Sequence, residues 1–250
     1  PLTERWSGAP ASELAASVAE KIPGGATHLL NASIAQRLTD RAIAHGYCNE
    51  QPETIHVWHV YPEAGLSTLC EHLASSLHAD IEMQSPVERI IVANERVRAI
   101  RVRGEEHEVS AVMSTAPVNV LSKIVEGSDK LQPLARFKYR PMTFVNLRFE
   151  GRGLLPTVVL WFPEADYPFF RLTEATLSMP WLAPDGMTML TADLGCEIGD
   201  AIWTMTDEQL GEHCLAHISR VVPDAQQRYR GCKVLRTALA YPVFLKEYET

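Results

Sequence analysis

The chain has 250 residues, 46% of them apolar and 22% charged, a balance that fits a globular protein of one large domain or two interleaved ones. Its net charge of −8 opposes a nucleic-acid backbone, and no apolar run approaches the roughly 20 residues of a membrane helix. The five cysteines (Cys48, Cys70, Cys196, Cys214, Cys232) are scattered and never in CxxC spacing, which speaks against a disulfide framework or a zinc ribbon and fits a reducing, cytoplasmic compartment. No signal peptide and no initiator methionine stands at Pro1, so the start reads as a cut.

In chain order, Ser12 is placed to cap a helix carrying Glu13, Leu14, Val18 and Ile22, which Pro23-Gly24-Gly25 stops. A second helix, capped by Asn31 or Ser33, puts Ile34, Leu38, Ala42 and Ile43 inward and ends at Gly46. Residues 47–60 read as a connection rich in histidine and aromatic residues. Gly65–Ala79 reads as a short amphipathic helix with Leu66, Leu69, Leu73 and Leu77 on one face.

A β-meander follows. Its expected strands are Asp80–Met83, a stretch from Ser85 to Val92, Arg96–Arg103 and a last one ending at Val112-Met113, with turns at Asn94-Glu95 and Gly104-Glu105. Val118–Val125 reads as helix, and Asp129–Phe137 as a further helical segment. Then Thr143, Val145, Leu147 and Phe149 alternate with Phe144, Asn146, Arg148 and Glu150, the period of a strand with one buried face. Thr157–Phe162, Phe169–Thr173 and Met187–Leu194 read as further strands. A helix opens at Thr206, with Gln209 completing a capping box, and runs to about Val222. Val234–Leu239 is the last strand, broken by Tyr241-Pro242.

Few of the constellations along this chain carry chemistry. His213 and His217 stand four apart on the last helix, but no acidic residue follows the first in the HExxH sense, and His56 with His59 lacks a third ligand, so no metal is expected. No GxSxG elbow or phosphate loop is present, and Pro156 spoils Gly151-Arg152-Gly153 as a dinucleotide fingerprint. One window concentrates rings: Trp161-Phe162-Pro163, Tyr167-Pro168-Phe169-Phe170-Arg171 and Pro180-Trp181. These residues either fill a sheet core or wall a pocket for a planar substrate, with Arg171 as an anion anchor. An arginine flanked by Phe169, Phe170 and Leu172 must find a partner, whether a structural carboxylate or a ligand.

Pro1 to Gly8, Ala19-Glu20-Lys21-Ile22-Pro23, Tyr61-Pro62-Glu63-Ala64-Gly65, Tyr139-Arg140-Pro141-Met142, Trp161-Phe162-Pro163-Glu164, Phe170 to Glu174, Asp200-Ala201-Ile202-Trp203 and Ala240-Tyr241-Pro242-Val243 resemble, in order and spacing, successive blocks of the FAD-dependent amine oxidase and protoporphyrinogen-oxidase-like flavoproteins, including their UDP-galactopyranose-mutase-like branch. Ala64 departs from that group's "YPxGG". The meander, with Val87 and Val97 each leading an apolar strand and a small-residue exit through Ser114, Thr115, Ala116 and Pro117, resembles the group's mid-chain crossing.

That resemblance implies an α+β chain, part of an FAD/NAD(P)-binding α/β fold: a mixed or antiparallel substrate-domain sheet with helices, plus a partial FAD-domain meander. It assigns residues 1–62 and 118–240 to the substrate domain, 63–117 to the FAD domain and 241–250 to a return toward it. It places Val87, Thr115, Ala116 and Pro117 along FAD, with backbone rather than side-chain contacts, and Trp161, Arg171 and Tyr241 on the substrate side of the flavin. The GxGxxG turn, the acidic ribose contact and the closing Gly-Asp segment of the group do not occur here, so the chain reads as an internal fragment that alone would hold FAD weakly. The implied activity is hydride transfer from a small organic substrate to flavin. The alternatives are a non-redox, mutase-like isomerase using reduced flavin, and a non-catalytic module whose aromatic window grips a partner.

Overall fold

A computed structural model describes residues 2–21 and 61–248, which fall into two compact units: residues 1–69 with 139–250, and Cys70–Lys138. The helix expected from Asn31 or Ser33 to Gly46 and the connection with His56 and His59 lie outside the described residues. The chain is α+β, with two separate sheets and short helices.

The smaller unit is built on the meander. Strands β1 (Val87–Ala93), β2 (Arg96–Val102) and β3 (Glu105–Glu108) pair antiparallel through two-residue turns. Asn94 and Glu95 both take φ near +50 to +60°, and Arg103 and Gly104 likewise lie at positive φ, the geometry whose twist matches paired strands. A helix (Val118–Ile124) then delivers the two-residue β4 (Val125–Glu126) parallel to β1, giving the order β3-β2-β1-β4. Gly127 at φ +86° ends that crossing, and a Cβ there would lie 2.1 Å from the Val92 carbonyl oxygen. Only glycine fits.

Several expectations need correction here. Asp80–Met83 is not a strand, and the third strand ends at Glu108. Beyond the bond from Val109 N–H to the Arg98 carbonyl at 3.0 Å, residues 110–116 have no ladder partner among the described residues, and Met113 is 94% exposed. Apolar side chains do not make a strand without a neighbouring backbone. The helix expected over Gly65–Ala79 spans Leu66–Ser76, and its three leucines, with Leu77 just beyond it, point outward, 45–58% exposed. The segment around Asp129–Phe137 forms a single 3-10 stretch, Gln132–Arg136, with Pro133 in its first turn. The compact unit Cys70–Lys138 includes the helix Val118–Ile124 and β4.

The larger unit is a five-stranded antiparallel sheet, order β6-β7-β8-β5-β9. Its longest interior strand is β5 (Tyr139–Glu150), paired to the central β8 (Met187–Gly195) from Met142↔Gly195 to Glu150↔Met187. β6 (Val159–Trp161) and β7 (Arg171–Thr173) extend one side, and β9 (Tyr229–Pro242) closes the other. The alternation read from the sequence holds: Val145, Leu147 and Phe149 are fully buried with Leu172, Leu190, Ala192 and Leu194. They pack on the helix Asp207–Ile218 through Leu210, Cys214 and Ile218. That helix opens with the expected capping box, Gln209 N–H to Thr206 Oγ1 at 3.2 Å and Thr206 N–H to Gln209 Oε1 at 2.9 Å.

Two readings at the edges of this unit change. The expected helix from Ser12 is two 3-10 turns, Ala11–Glu13 and Ala16–Lys21, interrupted where Leu14 forms an isolated antiparallel bridge to Leu245. The backbone there is claimed by the C-terminal segment, through Ala15 N–H to the Phe244 carbonyl at 2.8 Å. The last strand is 14 residues long and includes Tyr241-Pro242 rather than stopping before them. Pro242 lies opposite Tyr139, beyond a bulge between Arg140 and Met142, where a missing donor is tolerated.

Close packing between that helix and β9 makes a testable demand. A Cβ at Gly211 would meet Cys232 Sγ at 2.5 Å and the Tyr229 hydroxyl at 2.7 Å. Gly211→Ala is therefore expected to lower stability by about 1–2 kcal/mol in urea unfolding, overpacking outweighing the helical preference of alanine. A stabilised variant would show that the contact relaxes freely.

Candidate functional site

Strand alternation decides which side chains share the second face of the larger sheet. With Val145, Ala192, Leu172 and Val234 turned to the core, their neighbours turn away, and the register aligns them in a cross-strand row: Trp161, Arg171, Asp193, Phe144, Leu235. A second row runs Val159, Thr173, Thr191, Asn146, Lys233. Thr191 Oγ1 donates to Asn146 Oδ1 at 2.9 Å, and Asn146 Nδ2 donates to the Lys233 carbonyl at 3.3 Å.

Arg171 is the charged centre of the first row. Its Nε donates to Asp193 Oδ2 at 2.9 Å and its Nη2 approaches the same oxygen at 2.5 Å. The guanidinium lies 5.4 Å from the Trp161 ring centroid, and Trp161 in turn stacks on Phe170 at 6.3 Å. Asp193 is 1% exposed whereas the Arg171 side chain keeps 29%. Burial pushes the Asp193 carboxyl above its ordinary range, against the pull of the adjacent Arg171. Of the two partners expected for this arginine, the structural carboxylate is present.

The rest of the aromatic window is mostly core. Phe162, Phe169 and Phe170 are buried, with Phe162 and Phe169 edge-to-face at 5.0 Å and Phe162 against Tyr167 at 4.5 Å. Trp181 sits half-exposed on a 3-10 turn, Pro180–Leu182. The structure thus brings Trp161 and Arg171 together and leaves Tyr241 apart, three strands across on β9, opposite Arg140 and edge-on to Trp6 at 5.4 Å. Asp193 and Phe144 are members of the row that sequence reasoning passed over. Asp193 stands in an apolar strand between Ala192 and Leu194, the same signal that singled out Arg171.

In the smaller unit, Val87 opens β1 and is 38% exposed. On the side away from β2, residues Val87–Arg89 have no strand beside them among the described residues, because β4 pairs only Ile90 and Ile91. Thr115 and Ala116 are exposed, small, and followed by Pro117 at the entry to the helix Val118–Ile124. Open backbone at Val87 and minimal side chains at Thr115 and Ala116 fit close approach by the adenine end of a dinucleotide. A trough of about 1200 Å³ on this unit is lined by Ile91, Val97, Ala99, Glu106, Glu108 and Val112, and includes none of those four residues.

His217 Nδ1 lies 2.9 Å from the His213 carbonyl oxygen, Cys214 between them is buried with its thiol pushed up to about 12 by burial, and no group of three or more His, Cys, Asp or Glu side chains is disposed to hold an ion among the described residues. No helix among the described residues is long and apolar enough to cross a membrane.

The comparisons with known proteins identify the family. The family model described as flavin containing amine oxidoreductase matches residues 36–242, and the chain belongs to that family. Reduced UDP-galactopyranose mutase superposes with a TM-score of 0.68 at 14% identity over 100% of this chain and 54% of its own. A candidate protoporphyrinogen oxidase from Exiguobacterium sp. 255-15 gives 0.58 at 18% identity over 72% and 41%, and putrescine oxidase bound to putrescine gives 0.57 at 18% over 73% and 42%. The chain therefore spans about half the length of these structures, 41–54%. No curated protein matches it in sequence.

Proposed function

We propose that the complete protein is a cytoplasmic FAD-dependent oxidoreductase acting on a small organic substrate. Val87 lends backbone to the adenine end of FAD, Thr115, Ala116 and Pro117 let the chain pass close to the dinucleotide, and the sheet face with Trp161 and Arg171 bounds the substrate, Tyr241 contributing at the far end of the sheet. FAD supplies the two-electron chemistry. The chain's own residues position a ring against Trp161, offer hydrogen bonds from Arg171 and present the apolar side chains of Phe144 and Leu235 along the same row. The observation that carries this reading is the family match across residues 36–242, together with the sheet face turned away from the helix Asp207–Ile218, on which Trp161 and Arg171 stay partly exposed.

The near-complete superposition on UDP-galactopyranose mutase supports a second reading, a non-redox isomerase that uses reduced flavin. An anaerobic experiment on the complete protein separates the two. Substrate that bleaches the flavin band once per site, with colour restored by an added electron acceptor, is expected for the oxidoreductase. Product formed over many cycles without acceptor, after prior reduction, assigns the isomerase. A complete protein purified without flavin absorbance and unable to take up FAD would refute both.

A further inference from the structure

A guanidinium that grips an anion needs uncompensated charge, and Arg171 has little of it. Both its Nε and its Nη2 are directed at one oxygen of Asp193, a carboxylate 1% exposed and fixed directly opposite it by the β7–β8 register. Trp161 covers the guanidinium from the next strand. The remaining members of the row are apolar, the next row is neutral up to Lys233 on the third strand away, and so Asp193 cancels the arginine's charge where Trp161 offers its ring. What the pair presents outward is a flat, neutral patch with donor capacity left on the exposed part of the guanidinium.

We propose that Asp193 is the specificity-determining residue of this face: by occupying Arg171 it makes the surface select a planar, uncharged, hydrogen-bond-accepting group over an isosteric anion. The inference rests on the reading of this face as the substrate surface. A buried, paired charge contributes little net attraction to a further anion, whereas an unpaired one contributes strongly. Asparagine in place of Asp193 keeps an acceptor for Nε and restores the positive charge.

The test uses the complete, flavin-loaded protein and two matched probes, benzamide and benzoate, with affinities measured by calorimetry at pH 8. The wild type is expected to bind benzamide at least about tenfold more tightly than benzoate, and Asp193→Asn is expected to reverse that order. Trp161→Ala is expected to weaken both probes without changing the preference. Equal or tighter benzoate binding by the wild type, or an unchanged ratio in Asp193→Asn, overturns the inference while leaving the site intact, provided Trp161→Ala still weakens both. Probes that bind equally well to Trp161→Ala remove the site itself, and the inference with it. Failure of both probes to bind the wild type also overturns it, and the wild-type ratio decides even where Asp193→Asn does not fold.

Discussion

Arg171→Ala is expected to destabilise the chain by about 3 kcal/mol at pH 8, and by much less at pH 4. The substitution leaves a carboxylate that is 1% exposed without the guanidinium that holds it at 2.5 and 2.9 Å. Burial already holds the Asp193 carboxyl above its ordinary range with Arg171 present, and removing that cation raises it further. A raised carboxyl means that the folded chain keeps a proton which the unfolded chain releases near pH 4. Its contribution to stability is therefore fully present below that point and is lost as pH rises through the folded value. The gap between wild type and Arg171→Ala accordingly opens from acid to neutral pH. Urea unfolding at several pH values measures it, and Asp193→Asn combined with Arg171→Ala is expected to recover most of the loss. A penalty independent of pH, or strictly additive double variants, would show that Asp193 is neutral or solvated and that the pair is incidental.

Pattern was most legible where one buried face repeats. Thr143 to Phe149 declared its strand because one buried face repeats along it, and Thr206 with Gln209 declared a helix start because a capping box is local chemistry. Ser12 misled for the opposite reason. A good N-cap beside Leu14 and Val18 looks helical, yet the backbone at Leu14 and Ala15 is taken by residues 244 and 245, nearly the whole chain away. Val112 and Met113 misled similarly, since an apolar extended segment becomes a strand only with a partner backbone.

The site was half legible. Arg171 was visible as a charge in an apolar strand, and Trp161 as part of a ring-rich window. Their adjacency was not, because it comes from the register of β6 on β7, which a loop containing Pro163 and Pro168 sets. Which rings line the core and which face outward follows from that register too: Leu172 points inward, so Arg171 and Trp161 point out, while Phe162 and Phe169 in the connection join the core and Phe170 stacks on Trp161. Asp193 carries the same sequence signature as Arg171, and two opposite charges in two apolar strands of one sheet are a pairing signal available before any coordinates.

Glu174→Leu is expected to cost about 3–5 kcal/mol and to loosen the edge that carries Trp161. Glu174 follows β7 directly and is fully buried. Its Oε1 accepts from Gly153 N–H and Thr188 Oγ1, both at 2.9 Å, and its Oε2 accepts from Leu155 N–H at 2.8 Å. Since the Thr188 hydroxyl gives its proton to Glu174, the Thr176 hydroxyl bonded to it must be the donor of that pair, so the protons run in one direction, Thr176 to Thr188 to Glu174. Leucine matches the volume but strands three donors, each costing about 1–3 kcal/mol where water cannot replace the acceptor. Glu174→Gln keeps one acceptor and is expected to cost about half as much. The Glu174 N–H also bonds the Val158 carbonyl at 2.8 Å, immediately before β6, so the loop from Gly153 and the start of the Trp161 strand share one anchor. Hydrogen exchange separates this role from a general loss of stability. Protection at Gly153, Leu155 and the β6 amides should fall in Glu174→Leu well before that of β5 and β8. Uniform loss of protection across the sheet would make Glu174 an ordinary core residue, and undiminished protection at Leu155 would mean that the loop holds itself without the carboxylate.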